Sequence, residues 1–141
     1  MSEFIKRFKN KSVFHFCHTD LDGNGCLLLS KIFLEKYLSM YYYKFVTKKD
    51  ELRQSIIDNE ELIRSADIIL FTDLSPYETS ILDELEKLNK NIIIVDHHDS
   101  AYRLFKDRIP NKNYYYDDTL SGTKLFYNLL TQGTRKSKII S

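Results

Sequence analysis

Two rhythms of apolar and polar residues run along this chain. Apolar runs at Val13 to Cys17, Tyr41 to Val46, Ile68 to Phe71 and Ile92 to Val95 read as strands of a parallel sheet, covered on both faces. Between them, Leu27 to Leu38, Leu52 to Ile63 (with Ile56 and Ile57) and Ile81 to Leu88 carry apolar residues at helical spacing. Thr47 with Asp50 and Ser75 with Glu78 fit capping boxes, and Pro76 suits a first helical turn. A fifth short strand over Asn113 to Tyr116 precedes a helix that starts at its cap, Ser121, and runs to about Thr131.

The order is βαβαβαβ, then a loop, a strand and a helix. It predicts an α/β fold: a doubly wound, mainly parallel five-stranded sheet with strand order 2-1-3-4-5 and helices on both faces, since parallel strands need right-handed crossovers. No internal repeat or low-complexity linker interrupts it, so residues 1–141 are expected to form a single domain. Ligands of such sheets bind beyond the carboxyl ends of the strands.

Those ends are where the chemistry collects. Strand one runs into His18, Thr19, Asp20, Leu21, Asp22 and Gly23, strand three into Asp73, and strand four into Asp96, His97 and His98. Asp73 alone reads equally as a helix cap. Asp96, His97 and His98 alone read as a solvated loop. Together at matching topological positions they converge on one crevice, where so many carboxylates and imidazoles require cations to compensate them. That donor set suits two divalent metal ions, Mn²⁺ first and Mg²⁺, Co²⁺ or Zn²⁺ next, the arrangement that recurs for phosphate esters.

Other features are less specific. His15 lies inside strand one as a packed core or supporting residue. Gly23, Asn24 and Gly25 fall short of a dinucleotide fingerprint because Leu28 holds the third glycine position. Tyr41 to Tyr43 and Tyr114 to Tyr116 offer stacking faces or simply β-propensity. Ser121, Gly122 and Thr123 open a helix that either binds a phosphate or is merely capped.

Composition narrows the partners. A net charge of +1 lacks the basic field that long duplex nucleic acid requires, leaving a short or small phosphorylated ligand open. No apolar run nears the roughly 20 residues of a membrane span, and MSEFIKRFKNK has no signal-peptide core, so no membrane association and a cytoplasmic location are expected. Cys17 and Cys26 fit a reducing compartment. A phosphoacceptor receiver domain is disfavoured, because Asp96, His97 and His98 stand where it needs Ser or Thr, and Asp117 and Asp118 stand about where it needs Lys.

HTDLDGNG, the lone Asp73, VDHHDS and SGTKLFYNLL resemble, in order, the motifs of the DHH family of phosphoesterases, with the nano-RNase or oligoribonuclease branch nearest. The resemblance implies hydrolysis of short single-stranded oligonucleotides or small (di)nucleotides to 5′-mononucleotides by two-metal catalysis. His18 and Asp20 would hold one ion, Asp22 and His97 the other, and Asp73 would bridge them. Asp96 would orient the histidines, His98 would contact the substrate, and Ser121, Gly122 and Thr123 would bind its phosphate. It also implies a further aspartate beyond the SGT helix and a C-terminal substrate-binding domain, both expected to be lacking here, where the sequence runs out in TRKSKIIS. A partner chain, the missing domain, or Asp99, Asp117 or Asp118 would then complete the site. The competing expectation is a truncated, non-catalytic module that binds a nucleotide or a partner protein.

Overall fold

Side chains of successive strand residues leave a sheet on opposite faces, and the core divides accordingly. The computed structural model describes residues 1–132. Its strands are β1 (Ser12–His18), β2 (Met40–Val46), β3 (Ile68–Thr72), β4 (Ile92–Asp96) and β5 (Tyr114–Tyr116). They form one all-parallel sheet in the order β2-β1-β3-β4-β5, as the sequence predicts. Phe14, Phe16, Ile69, Phe71, Ile92, Ile94 and Tyr114 pack on one face against helices α3 (Lys49–Asp58), α4 (Glu60–Ser65), α5 (Thr79–Leu88) and α6 (Asp99–Phe105). Val13, Ile68, Leu70, Ile93, Val95 and Tyr115 pack on the other against α1 (Glu3–Lys6), α2 (Leu21–Leu29) and α7 (Gly122–Thr131). Each such side chain contributes roughly 1.5 to 3 kcal/mol of burial; the edge strand β2 departs from the expected cover on both faces, with Met40, Tyr42, Tyr43 and Lys44 exposed and only Val46 buried.

His15 is the polar exception in this core. It is fully buried, with Nδ1 2.7 Å from the Tyr41 hydroxyl and Nε2 2.6 Å from the Thr72 hydroxyl. Burial pushes its imidazole down to about 3, so it stays neutral and acts as a hydrogen-bonding core residue. Cys17 and Cys26 are free and buried, and burial pushes the Cys17 thiol up to about 12.

The helices depart from the sequence reading in several places. Helix α2 starts at Leu21, six residues before the apolar pattern, capped by the Asp20 side chain, which accepts from the Gly23 N–H at 2.7 Å. It continues as a π-helical turn (Ser30–Leu34) and a 3₁₀ turn (Glu35–Tyr37). The expected Leu52 to Ile63 helix is two helices broken at Asn59. Neither capping box forms, because α3 and α5 are preceded by Lys48 and Glu78 with no side-chain cap, and Pro76 lies in the loop before α5. Thr47 pairs its hydroxyl with that of Thr19 at 2.8 Å instead, and Ser75 is used elsewhere. The loop after β4 contains α6, and α1 precedes β1. Ser121 does cap α7, accepting from the Lys124 N–H at 3.1 Å.

Among the described residues, no helix is long and apolar enough to cross a membrane. The expectation about the segment after α7, with TRKSKIIS, lies outside the described residues.

Candidate metal centre

Register brings the chemistry together. Cys17 pairs with Thr72, Thr72 with Val95 and Asp96 with Tyr116, so β1, β3 and β4 end at one level and deliver His18, Asp73 and Asp96 to the same crevice. Ligand atoms of His18, Asp20 and Asp73 all lie within 4.8 Å of one another, and so do those of Asp73, Asp96, His97 and His98. Asp73 belongs to both groups.

Asp73 is buried and has a left-handed backbone, with φ of 56°. Such a conformation is uncommon outside glycine, though less so for aspartate. Its N–H donates to Val95 O at 2.9 Å, which fixes the residue against β4. One carboxylate oxygen, Oδ1, lies 2.9 Å from His97 Nε2, while Oδ2 is buried without a hydrogen-bond partner. Burial pushes this carboxyl up to about 8, helped by a hydrogen bond with Asp20 and by the charges of Asp22, Asp20 and Asp96.

The neighbouring acids are held differently. Burial pushes the half-exposed Asp20 carboxyl up, but the Gly23 N–H, Asp73 and His18 outweigh it and leave it below the usual carboxylate range. His18 Nδ1 stands 3.0 Å from Asp20 Oδ2 yet makes no aligned hydrogen bond. Two buried polar atoms, Asp73 Oδ2 and His18 Nδ1, are therefore left without a satisfied partner in residues that share one ligand group, an arrangement a divalent cation fits.

Asp22 is bound by the start of α7. Its Oδ2 accepts from the Gly122 N–H at 2.7 Å and its Oδ1 from the Thr123 N–H at 2.9 Å, and Oδ1 also accepts from the Thr123 hydroxyl. Burial raises this carboxyl, but the Thr123 and Gly122 donors outweigh it and hold it low. Asp22 Oδ2 lies 3.7 Å from His97 Nε2, at the margin of the cluster. The N–H groups expected to cradle a phosphate thus hold a side chain of the site itself, and Ser121 spends its oxygen on its own helix.

Asp96 is buried and fully engaged. Its Oδ2 accepts from the Ser75 hydroxyl at 2.7 Å, and its Oδ1 from the His97 N–H at 2.9 Å, with His98 Nδ1 2.7 Å away. That hydrogen bond holds the His98 imidazole above the usual histidine range despite its partial burial. Sequence reading missed Ser75, whose spacing to Glu78 imitates a cap, and Tyr114, whose hydroxyl lies 3.3 Å from that of Ser75. Asp99, Asp117 and Asp118 enter neither ligand group among the described residues. Asp99 accepts from the Tyr116 hydroxyl and pairs with Arg103, while Asp117 accepts from the Thr119 N–H.

Three comparisons place this geometry among known proteins. The profile of the DHH family, N-terminal domain, matches residues 12–141. A 3′,5′-cyclic-nucleotide phosphodiesterase of Helicobacter pylori is 31% identical over 127 residues, 84% of this chain. The crystal structure of an uncharacterized protein from Helicobacter pylori G27 matches with a TM-score of 0.68 at 24% identity over 84% of this chain, a likeness of fold. The chain spans 35% of the length of each of these two proteins.

Proposed function

Because this chain belongs to the DHH family, we propose that it carries a metal-dependent phosphoesterase site of the nano-RNase kind, which hydrolyses short oligonucleotides or small nucleotides to 5′-mononucleotides. The carrying observation is Asp73, a buried carboxylate common to two ligand groups with one oxygen unpartnered. A divalent cation bound there would offset the charge that burial makes costly for Asp73 to carry.

In this reading His18 and Asp20 would hold one ion and His97 the other, with Asp22, 3.7 Å from His97 and outside both ligand groups, beside it; Asp73 would serve both, and Mn²⁺ suits the mixed carboxylate and imidazole set. Divalent cations bound there supply Lewis acidity, lowering the pKa of water and offsetting phosphate charge. The protein's own groups do the rest. Asp96, 2.7 Å from His98 Nδ1, favours the charged imidazole, whose Nε2 would donate to a phosphoryl oxygen or to the departing 3′-oxygen. Ser75 and the His97 N–H fix Asp96 in turn, and the start of α7 fixes Asp22.

A 5′-phosphorylated RNA dinucleotide and a 3′,5′-cyclic mononucleotide are the substrates to assay with Mn²⁺, the second because the Helicobacter pylori relative is named for that class. Turnover to 5′-mononucleotide is expected for at least one, and is lost in EDTA and in Asp73→Asn. Equal turnover by wild type and variant would sink the reading. Nucleotide binding without turnover would favour the non-catalytic module, its site completed by a partner chain or a further domain. Replacing Asp96 by Asn should lower kcat by roughly 10- to 100-fold while the fold persists, because Asp96 holds the substrate-facing His98 imidazole and the backbone of His97 beside the metal ligands; kinetics with circular dichroism on the same sample checks this.

A further inference from the structure

Next to the metal centre a cleft of about 380 Å³ runs from His18, Asp73, Asp96 and His98 to an apolar wall of Leu74, Ala101 and Leu104, with Tyr77 and Ser100 along its sides. Its size falls within the range of small-molecule sites, roughly 300 to 1,000 Å³. We propose that this wall seats the nucleobase of the phosphoester whose phosphate lies against His98, an assignment that rests on the phosphoesterase reading above for its polar end.

Three observations lead there. First, one helix joins the two ends. His98 precedes α6 as its N-terminal flanking residue, and Ala101 and Leu104, three residues apart, share a face of that helix and line the cleft. Leu104 lies about 9 Å along the axis from His98, so an ester group carried away from a phosphate at His98 is led along apolar side chains. Leu104 is 44% exposed, an apolar side chain half open to solvent at the rim of the cleft.

Second, Tyr77 is held there against its preference. Its backbone is left-handed, with φ of 66°, which an aromatic residue rarely adopts. Its phenol oxygen is buried with no hydrogen-bond partner. The loop that carries it is pinned on both sides, by the Ser75 hydroxyl on Asp96 at 2.7 Å and by Glu78 on Lys49 at 2.8 Å. A strained aromatic residue on a loop pinned from both sides is the pattern of a wall whose shape is held in place beside the centre.

Third, the chemistry of the wall selects among ligands. A flat heterocycle can lie against Tyr77 and the Leu104 side chain and turn its polar edge to the exposed Ser100 hydroxyl. A bare phosphate or a sugar phosphate has nothing to place there. The cleft therefore separates nucleotides from simpler phosphate esters.

The test is binding of AMP and of ribose 5-phosphate to the full chain with Mg²⁺, followed by calorimetry. AMP should bind roughly tenfold more tightly, the range expected for one base stacking in an apolar site. Leu104→Asn should abolish most of that preference and leave ribose 5-phosphate affinity unchanged. Equal affinity of the two ligands in wild type, failure of AMP to bind, or a preference that survives in Leu104→Asn would each overturn the assignment. Turnover is read separately with the dinucleotide. A base preference without hydrolysis keeps this subsite and defeats the esterase reading, whereas hydrolysis without a base preference does the reverse.

Discussion

Asp73→Asn should abolish Mn²⁺ binding and yet melt at a higher temperature than wild type once both are stripped with EDTA. The reason lies in the carboxyl, raised from 3.8 to about 8 chiefly by burial. A raised acid pKa means that folding takes up a proton, so the cost of ionising Asp73 in the folded chain grows as pH climbs from about 4 to about 8. Below that window the residue is protonated in both states and the cost vanishes. Asparagine has no charge to bury, so its advantage is small at pH 5 and rises to roughly 5 to 10 °C at pH 8, after allowance for relaxation around the site. Added Mn²⁺ reverses the order. Wild type gains by mass action, about 2.7 kcal/mol at one hundred times the dissociation constant, and the variant gains nothing. Thermal scans at pH 5 and pH 8, each with EDTA and with Mn²⁺, read all four values. A variant that melts below wild type in EDTA at pH 8, or that Mn²⁺ stabilises as much, contradicts this account of Asp73.

Gly122→Ala is the second large effect, and its sign is unusual. Alanine in place of a helical glycine normally stabilises by about 0.5 to 1 kcal/mol. Here the added methyl would stand 2.6 Å from Asp73 Oδ1 and 3.0 Å from Asp22 Oδ2, neither of which is the free end of a long side chain. Helix α7 must draw back, and the two N–H donors that hold Asp22 go with it. We expect a loss of roughly 1 to 3 kcal/mol in stability and of about 10- to 100-fold in Mn²⁺ affinity, seen by urea unfolding and by calorimetry. A neutral or stabilising substitution would show that the carboxylates do not crowd the start of α7.

The sheet was the most legible part of the chain. Runs such as Ile68 to Phe71 and Ile92 to Val95 are buried on both sides, so their apolar character is continuous and their strand ends fall where the runs stop. Helix α2 hid its first turn, because Gly23, Asn24 and Gly25 are poor helix formers chosen for close approach. A methyl on Gly23 would overlap the His18 carbonyl oxygen, and one on Gly25 would come within 2.7 Å of the Thr123 hydroxyl. Helix α6 buries only Phe105, too little to give a period. Ser75 fits a capping box by spacing, but Asp96 lies close enough in space to claim its hydroxyl, and nothing local reports that. At the site, the residue types were readable in order along the chain, whereas the partners of Asp22 were not, since they come from a helix that sequence reading had assigned to the substrate.

That pairing also bears on how the protein comes to be active. Asp22 and its donors on Gly122 and Thr123 are separated by 100 and 101 residues, so the clamp closes only once the intervening strands have brought α7 back against α2. A metal ion arriving before that moment would meet a flexible HTDLDG segment with Asp22 still unclamped. On the proposed reading, the Asp22 side of the centre would then be ready for metal only after α7 has docked, and a ribosome-bound chain that has not yet released α7 would lack the clamp.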